Sequence, residues 1–404
     1  MFNPFDPGYA ADPYPHLREQ RETAPIQELP FGPWIVFEHA DALRLLRDTS
    51  MSVEERKAIA INPERERMRA QLIAEVAPDY EFRERVSILN LDPPDHTRLR
   101  KLVSSVFTPR RIAELQPMIA GVVERHLDAV EARGEMDLIA DLAFPLPFTV
   151  ISEMMGMPTE DRDQVRSWSH ALVRILDFTI GPDELRAALQ AGENMRAHLG
   201  EVIAWKRRNP GDDLLTALID AEADGDKLSD IELLEQVMLL YIAGHETTVN
   251  LIGNGTWALL RNRDQLELWR DDPAVDATAI DELLRFDSPV QLSRRISLEA
   301  MELHGREIPA GTFVFTSLGS ANRDPAVFGP TADDLDLRRA DAARHLSFGS
   351  GSHHCLGASL ARLQGTEAIT GLIRRFPNVR AAADEPDWNG RLVLRGMESL
   401  PLSL

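Results

Sequence analysis

A long helical pattern between residues 229 and 260 constrains the fold more than any other feature of this 404-residue chain. Residues 229–232 read Ser-Asp-Ile-Glu, the Ser-x-x-Glu form of a capping box, which marks the start of a helix. At about 1.5 Å per residue, a helix that continues to Leu260 spans roughly 45 Å, enough to cross a domain of this size. Most of its circumference is apolar, so we expect it to be buried among other elements. His245 and Glu246 interrupt the apolar run, which argues against a membrane span.

Helical periodicity also dominates the remainder of the sequence. Segments with apolar residues at intervals of three and four cover residues 38–48, 115–130, 161–176 and 184–207. Short strand-like runs beside proline or glycine cover residues 34–37, 312–315 and 392–394. No linker, repeat or low-complexity tract divides the chain. We therefore predict a mainly α, helix-rich single domain over residues 1–404, with small peripheral β-sheets.

Charge and the N-terminal segment exclude several classes of protein. The net charge of −21 argues against nucleic-acid binding, because neutralising phosphates requires clustered Lys and Arg. The first residues contain neither a basic region nor an apolar run, so we expect no signal peptide, no membrane anchor and a reduced, cytoplasmic location. One basic island departs from the acidic total, and it is either a solvated helix face or a docking patch. Its members are Arg98, Arg100, Lys101, Arg110 and Arg111.

Cys355 is the only cysteine, and it lies in the glycine-punctuated segment 348–357, Phe-Gly-Ser-Gly-Ser-His-His-Cys-Leu-Gly. A lone cysteine cannot form an intramolecular disulfide or supply a multi-thiolate zinc or iron–sulfur site. An inert buried thiol is one interpretation. However, Gly349, Gly351 and Gly357 permit tight turns and the close approach of a flat partner. A helical pattern follows, whose N-terminus favours a thiolate, and one thiolate beside a large planar cofactor indicates haem.

The middle of the long helix carries an unusual polar segment. Residues 243–248 read Ala-Gly-His-Glu-Thr-Thr within an otherwise apolar stretch. Buried carboxylates and hydroxyls are costly unless they are paired. One interpretation is a local kink, because a mid-helix threonine can bond back to a carbonyl oxygen. The other interpretation is a site of chemistry.

These segments together resemble the cytochromes P450, specifically the soluble bacterial, ferredoxin-dependent type. Phe348, Gly351, His353, Cys355 and Gly357 fit the family's haem-binding pattern of Phe, two residues, Gly, one residue, His or Arg, one residue, Cys, one residue, Gly. Further motifs appear in the family's order between residues 92 and 357. The resemblance implies the cytochrome P450 fold, with haem b (heme b, iron protoporphyrin IX) between the long central helix and the cysteine loop. Cys355 would be the axial thiolate ligand of the iron.

The resemblance also implies roles for the polar segment of the central helix. Ala243 and Gly244 would leave room beside the iron. Thr247 would hydrogen-bond the oxygen, Glu246 would help to relay protons, and Thr248 would substitute for part of the role of Thr247.

Other motifs of the resemblance concern haem seating and support of the cysteine loop. Four residues are expected at the haem propionates: His96, Arg100, Arg295 and His353. Phe348 and Gly349 would contact the cofactor within the loop. Glu282 and Arg285 match the family's Glu-x-x-Arg pair, which joins an arginine from the region before the loop. Arg339 is the best match for that arginine, and Arg338 is the alternative.

The activity implied by the resemblance is a monooxygenase reaction, most often hydroxylation, with O2 as co-substrate. The substrate class is a lipophilic small molecule of polyketide, terpenoid, steroid or fatty acyl type. Expected substrate contacts are Leu239, Ala243, Val290, Gln291, Ser293 and Met397. Because the sequence has no flavin or nicotinamide fingerprint, an external ferredoxin with an NAD(P)H-dependent ferredoxin reductase is the expected electron source, docking on the basic island. A monomer is expected.

Two alternatives stay open at the level of sequence. The first keeps the haem but uses peroxide directly, or performs radical coupling or epoxidation. The second is a haem-binding protein without turnover.

Overall fold

The structure is a computed structural model that describes residues 2–30, 32–61, 63–78, 80, 86–157, 162–177, 180–223 and 226–404. Its α-helices are α1 (Tyr14–Thr23), α2 (His39–Arg47), α3 (Glu55–Ile61), α4 (Pro63–Val76), α5 (Asp95–Val106), α6 (Pro109–Glu114), α7 (Gln116–Glu131), α8 (Pro145–Met155), α9 (Arg162–Val173), α10 (Pro182–Arg208), α11 (Leu214–Asp220), α12 (Asp230–Arg261), α13 (Arg263–Asp271), α14 (Asp276–Phe286), α15 (Leu318–Ala321), α16 (Pro325–Phe328) and α17 (Ala358–Arg375). Its strands are β1 (Ile26–Glu28), β2 (Trp34–Val36), β3 (Met51–Ser52), β4 (Glu135–Asp137), β5 (Glu222–Ala223), β6 (Asp226–Lys227), β7 (Leu292–Ser297), β8 (Met301–Leu303), β9 (Arg306–Ile308), β10 (Phe313–Ser317), β11 (Arg380–Ala381), β12 (Asp387–Trp388), β13 (Met397–Ser399) and β14 (Pro401–Ser403).

The central helix α12 begins and ends where the sequence predicts. The Ser229 hydroxyl accepts a hydrogen bond from the backbone N–H of Glu232, and the Glu232 carboxylate accepts one from the backbone N–H of Ser229 at 2.8 Å. The helix then runs for 32 residues and packs against α8, α9, α10, α14 and α17. Because its contacts come from several sides, the prediction of a buried central helix is confirmed.

Glycine brings α12 and α17 into close contact. A Cβ atom on Gly365 would lie 3.0 Å from Leu251 of α12, and one on Gly255 would lie 3.2 Å from Ile369 of α17. Larger side chains at these two positions would therefore push the helices apart. The residue numbers of the contacting pairs increase together, from Leu251 with Gly365 to Gly255 with Ile369, so α12 and α17 run in the same direction where they touch.

All four of the other predicted helical segments are present, as α2, α7, α9 and α10. The predicted mainly α class with small sheets is confirmed. The largest sheet has the strand order β1-β2-β10-β7-β3, and only its β2–β10 pair is parallel. The remaining strands form the three-stranded sheet β11-β14-β4 and the pairs β5–β6, β8–β9 and β12–β13. No helix among the described residues combines the length and apolarity needed to cross a membrane.

The strand predicted over residues 392–394 is wrong, whereas those over 34–37 and 312–315 correspond to β2 and β10. Within residues 392–394, the only β-bridge joins Leu394 to Val290. The backbone N–H of Leu392 donates instead to the Asp177 carboxylate at 2.6 Å. This segment is apolar enough for a strand, but its backbone groups bond to loops.

We expect Ser229→Ala to lower the free energy of unfolding by about 1 kcal/mol, because it removes the acceptor that caps α12. Ser229→Asp keeps an acceptor at the same position and is the matched control. Urea denaturation followed by far-UV circular dichroism measures both. Equal midpoints for the alanine and aspartate variants would show that the cap does not stabilise α12.

Candidate active site

Small, accessible residues interrupt the buried face of α12. Ala243 and Gly244 are exposed although they lie in the middle of the central helix. A Cβ atom on Gly244 would meet no heavy atom within 4 Å. Cys355, which precedes α17, is also accessible. Since α12 and α17 touch further along at Gly255 and run in the same direction, Ala243, Gly244 and Cys355 all lie before the contact, and their exposure indicates open space there.

The cysteine loop is shaped by glycines with positive φ. Gly349 has φ 67° and Gly351 has φ 73°, a region that L side chains rarely adopt. The backbone N–H of Cys355 donates to the carbonyl oxygen of Phe348 at 2.9 Å, which closes the loop. A Cβ atom on Gly351 would lie 2.7 Å from the carbonyl oxygen of Leu46, so the loop lies directly on α2. Sequence and structure therefore agree on why glycine occupies these positions.

The Cys355 thiol is accessible yet surrounded by protein, as expected for a group in a cavity wall. Burial raises its pKa, and this effect exceeds the lowering by the backbone N–H of Gly357 and the charges of Arg100 and Arg362. Gly357 is the N-cap of α17, so the predicted helix N-terminus is present. The Gly357 N–H lowers the pKa of the thiol, in the direction predicted for a helix N-terminus, but burial outweighs this effect.

Unpaired nitrogen atoms form one wall near the loop. His96 is buried, and among the described residues neither of its ring nitrogens has a hydrogen-bond partner. Its ring centroid lies 4.2 Å from that of His353. Arg295 is buried, donates to Ser293 Oγ at 3.2 Å and to the Arg294 carbonyl oxygen at 2.8 Å, and forms no ion pair within the described part of the chain.

The electrostatics of this wall fit an anionic group. Burial lowers the pKa of Arg295 to about 10. Burial, His96 and Arg295 together lower the pKa of His353 to about 3. A buried cation without a counter-ion is costly, so the wall suits carboxylates such as the haem propionates. Arg100 donates to the carbonyl oxygen of His354 at 2.5 Å and is thereby held beside the loop. The residues present therefore fit haem.

Glu246 belongs to a buried ion pair that the sequence did not predict. Its carboxylate bonds to the guanidinium of Arg391, and both side chains are almost fully buried. The half-exposed His170 lies 3.4 Å from the other carboxylate oxygen through Nδ1. Arg391 Nη2 approaches His170 Nε2 at 3.5 Å and can only donate, so the ring proton is on Nδ1 and points to Glu246. Arg391 is close in space but 145 residues away in sequence, which is why periodicity could not reveal it.

The pKa of Glu246 is held below its usual range by these neighbours. Burial alone would raise the pKa, but the hydrogen bond from His170 and the charge of Arg391 outweigh it. His245 adds to the lowering, and its own Nε2 lies 3.0 Å from the carbonyl oxygen of Phe144. Glu246 is therefore ionised at neutral pH.

The two threonines of the segment bond back along the helix. Thr247 Oγ1 donates to the Ala243 carbonyl oxygen at 2.9 Å, and Thr248 Oγ1 donates to that of Gly244 at 3.1 Å. The back-bonding predicted by the kink interpretation is thus present. Nevertheless α12 is continuous through the segment. The roles predicted for both threonines stay predictions.

Glu282, Arg285 and Arg339 form a fully satisfied buried network. Arg285 donates to both carboxylate oxygens of Glu282, at 2.6 and 2.8 Å, and both side chains are completely buried. Arg339 Nε donates to Glu282 at 3.2 Å. Arg338 instead pairs with Asp272 at the surface, at 3.0 Å, so Arg339 is the third member and the alternative is wrong. The network joins α14 to the segment that leads into the cysteine loop.

The predicted substrate residues do not form one set. Leu239 and Leu356 pack against the cluster of Ile88, Leu91 and Leu99. Gln291 is buried and donates to Tyr14 Oη and to the Ser288 carbonyl oxygen. Three more side chains have protein partners, since Val290 packs near α2, Ser293 accepts from Arg295, and Met397 lies beside Gly253, whereas Ala243 is exposed. Their assignment to substrate stays a prediction.

The basic island is less positive than the sequence predicts. Arg98 pairs with Asp226 at 3.2 Å and also with Glu232. Arg110 pairs with Glu114 at 3.1 Å. Arg111 lies 3.9 Å from Asp212. Carboxylates distant in sequence therefore neutralise part of the charge.

We expect Gly351→Ala to destabilise the cysteine loop, because a side chain at positive φ costs about 1–2 kcal/mol and its Cβ would also meet Leu46. Gly390→Ala is the matched control, since Gly390 has φ 65° and no neighbour within 4 Å of the Cβ position. Thermal unfolding and the fraction of cofactor-loaded protein measure the difference. If the two variants lose the same stability, the contact with α2 does not constrain the loop.

The buried pair predicts a pH dependence of stability. Because the pKa of Glu246 in the folded protein lies below its ordinary value of 4.5, the ionised carboxylate stabilises the fold above that pH. The stability is lost as pH falls through the lowered folded pKa. At about pH 7, Glu246→Gln removes the buried anionic partner of Arg391 and leaves only the half-exposed Glu398, which should cost about 3–5 kcal/mol.

Urea midpoints of the native protein and Glu246→Gln should therefore differ most at neutral pH and converge in acid. Glu398→Gln, which alters the exposed partner of Arg391 at 3.3 Å, is the control. A difference between native protein and Glu246→Gln that is independent of pH would contradict the proposed charge state.

Comparisons with known proteins agree with this geometry. The description of the matching family is Cytochrome P450, and the match covers residues 73–268 and 273–392. The chain is 41% identical over 405 residues to cytochrome P450 107B1 of Saccharopolyspora erythraea, covering 98% of this chain and 96% of that protein. It resembles the solved structure of cytochrome P450 PksS of the Bacillus subtilis 168 bacillaene polyketide synthase, with a TM-score of 0.88, 38% identity and full coverage of both chains.

A second solved structure is P450BioI in complex with hexadec-9Z-enoic acid-ligated acyl carrier protein. Its TM-score is 0.88 at 34% identity, covering 99% of this chain and 100% of that chain. The family match spans most of the sequence, and the relatives match almost end to end. The predicted resemblance and fold are confirmed, and the chain belongs to the cytochrome P450 monooxygenase family.

Proposed function

We propose that this chain is a haem-thiolate monooxygenase that inserts one oxygen atom from O2 into a lipophilic small molecule, most often as a hydroxylation. The observation that carries the proposal is the exposure of Ala243, Gly244 and Cys355, from which we infer a space between α12 and the cysteine loop. Near the loop lie buried His96, whose ring nitrogens have no hydrogen-bond partner among the described residues, and buried Arg295, which forms no ion pair there. A soft ligand and anion-binding groups together suit haem b better than a metal ion alone.

Cys355 is assigned as the axial ligand, and His96, Arg100, Arg295 and His353 as the residues that hold the propionates. Phe348, Gly349 and Gly357 shape the loop around the ligand. Haem, when bound, supplies the iron at which O2 is reduced. The sequence 1–404 is assigned to one domain that acts as a monomer.

The polar segment of α12 is assigned to proton handling. The Glu246 carboxylate is ionised and therefore accepts a proton before it can pass one on. Thr247 and Thr248 hold hydroxyl protons on the same helix. The accessible surface of Ala243 and Gly244 leaves space for a small molecule beside them.

A polyketide or fatty acyl compound is the substrate class we favour. PksS is described as part of a polyketide synthase, and P450BioI is described with a fatty acyl carrier protein. Terpenoids and steroids belong to the same lipophilic range. Leu239, with its neighbours Leu356 and Ile88, is the apolar contact best placed to receive such a chain.

An external ferredoxin, with an NAD(P)H-dependent ferredoxin reductase, is the proposed electron source. The sequence carries one cysteine, which cannot form an iron–sulfur cluster by itself. Arg110 keeps most of its side chain exposed despite its pairing with Glu114. It is the member of the basic island that we assign to docking.

We expect the purified protein to convert a bound lipophilic compound to a singly oxygenated product, given a surrogate ferredoxin, the reductase, NADPH and O2. Candidate compounds are selected by the shift that they cause in the haem absorption band. With 18O2, one labelled atom should appear in the product. Product formed only with hydrogen peroxide would favour the peroxide-using alternative, and binding without product would favour a non-catalytic haem protein.

Thr247→Ala should lower the ratio of product formed to NADPH consumed, because it removes the hydroxyl proton from the cavity side of α12. Thr256→Ala is the control on the same helix, since the Thr256 hydroxyl is buried without a hydrogen-bond partner among the described residues. Simultaneous assays of NADPH oxidation, hydrogen peroxide and product measure the ratio. Full coupling in the Thr247 variant would contradict its assigned role.

A further inference from the structure

Asp281 ties both flanks of the cysteine loop to α14. It precedes Glu282 in the sequence, but its carboxylate contacts a different set of residues. Asp281 Oδ1 accepts a hydrogen bond from His345 Nε2 at 3.1 Å and another from Arg362 Nε at 2.8 Å. His345 lies just before the loop, and Arg362 lies on α17, the helix that follows Cys355. One carboxylate oxygen thus reaches the chain on each side of the cysteine.

His345 is a neutral member of this cluster. The backbone N–H of Ser347 donates to His345 Nδ1 at 3.1 Å, so Nδ1 carries no proton. The ring proton is therefore on Nε2 and is donated to Asp281. Burial lowers the pKa of His345 and keeps the ring uncharged. The negative charge of Asp281 is consequently balanced by Arg362 and not by the histidine.

Arg362 and His345 both contact Phe348, the first residue of the loop motif. The guanidinium carbon of Arg362 lies 4.7 Å from the centroid of the Phe348 ring, within the range of a cation–π contact. The His345 ring centroid lies 5.5 Å from the same ring. The Phe348 carbonyl oxygen in turn accepts the backbone N–H of Cys355. The position of Phe348 is therefore linked directly to that of the cysteine backbone.

Burial and charge make this cluster different from an ordinary surface ion pair. The His345 side chain is almost fully buried and that of Asp281 is mostly buried, whereas Arg362 is about one-third exposed. Burial would raise the pKa of Asp281, but His345 and Arg362 lower it overall. Asp281 is thus an anion next to the loop. Arg362 lies against Phe348, whose carbonyl oxygen accepts the backbone N–H of Cys355, so the guanidinium charge lies beside the cysteine loop.

We propose that Asp281 is a positioning residue for Cys355, which holds Arg362 against Phe348 and sets how strongly the guanidinium charge acts on the sulfur. The inference rests on the proposed ligation of haem by Cys355 and deepens it. Charges near the sulfur tune the reduction potential of a thiolate-ligated haem. Arg362 favours the additional electron, and Asp281 partly cancels that effect.

Two variants, each of which removes one charge, test the effects of Arg362 and Asp281 separately. In Arg362→Gln, loss of the cation should shift the haem reduction potential to a more negative value. In Asp281→Asn, the amide can still accept from Arg362 while the opposing charge is lost, so the potential should shift to a more positive value. Both variants should also lose part of the band at about 450 nm of the reduced carbon monoxide complex, which reports thiolate ligation, to the band at about 420 nm.

Arg374→Gln is the matched control. Arg374 lies on the same helix, is exposed to the same extent as Arg362, and pairs with Asp276 of α14 at 2.9 Å. It joins the same two helices at a different place and should leave both the potential and the spectrum unchanged. Spectroelectrochemical titration and carbon monoxide difference spectra of the full-length haem-loaded proteins measure these quantities.

The proposal is overturned if Arg362→Gln and Asp281→Asn behave like Arg374→Gln, or if both shift the potential in the same direction. If Asp281→Asn does not take up haem, His345→Gln replaces it, because that variant keeps both charges. It should lose part of the band at about 450 nm without a shift in potential, and a shift as large as that of Arg362→Gln contradicts the proposal. Absence of this band in the native protein would instead overturn the haem-thiolate assignment itself.

Discussion

The close contact between α12 and α17 is the constraint on which the rest of the site depends. Gly255 and Gly365 let two helix backbones approach where Leu251 and Ile369 pack into the resulting grooves. Because α12 and α17 run in the same direction, their contact at Gly255 and Gly365 limits the distance between the parts of the two helices that precede it. The open space indicated by the exposure of Ala243 and Cys355 therefore depends on packing further along the two helices. In a well-packed interior, neighbouring side chains have little room to adjust, so a change at this contact would also displace the residues around it.

Buried polar and charged groups in this protein fall into two classes, those with hydrogen-bond or ion-pair partners in the protein and those without them. Glu282 and Arg285 are completely buried and fully bonded, as a structural network must be. Arg295 and His96 are buried as well, but among the described residues Arg295 forms no ion pair and the His96 ring has no hydrogen-bond partner. An incomplete network is costly unless a ligand completes it. The contrast between these groups supports the proposed cofactor site more strongly than the identity of any one residue.

Much of the site could be predicted from local sequence. The glycines of the cysteine loop, the capping box at Ser229 and the Glu282–Arg285 spacing all act within a few residues, so pattern and chemistry suffice to recognise them. Arg391 and Asp177 could not be found in this way, because each meets its partner across more than a hundred residues. The partial neutralisation of the basic island could not be found from local sequence for the same reason. Its neutralising carboxylates, such as Asp226, come from other segments.

The sequence by itself determined the helical class, the length and burial of α12, and Cys355 as a single soft ligand at the start of a helix. These properties follow from periodicity, capping and the count of thiols. Only the tertiary structure decided the charge states. Burial raises the pKa of the Cys355 thiol against the effect of its helix N-terminus, and Arg391 keeps Glu246 ionised in spite of its burial. Desolvation and Coulomb interaction depend on distances in space, and neighbours in the chain do not fix those distances.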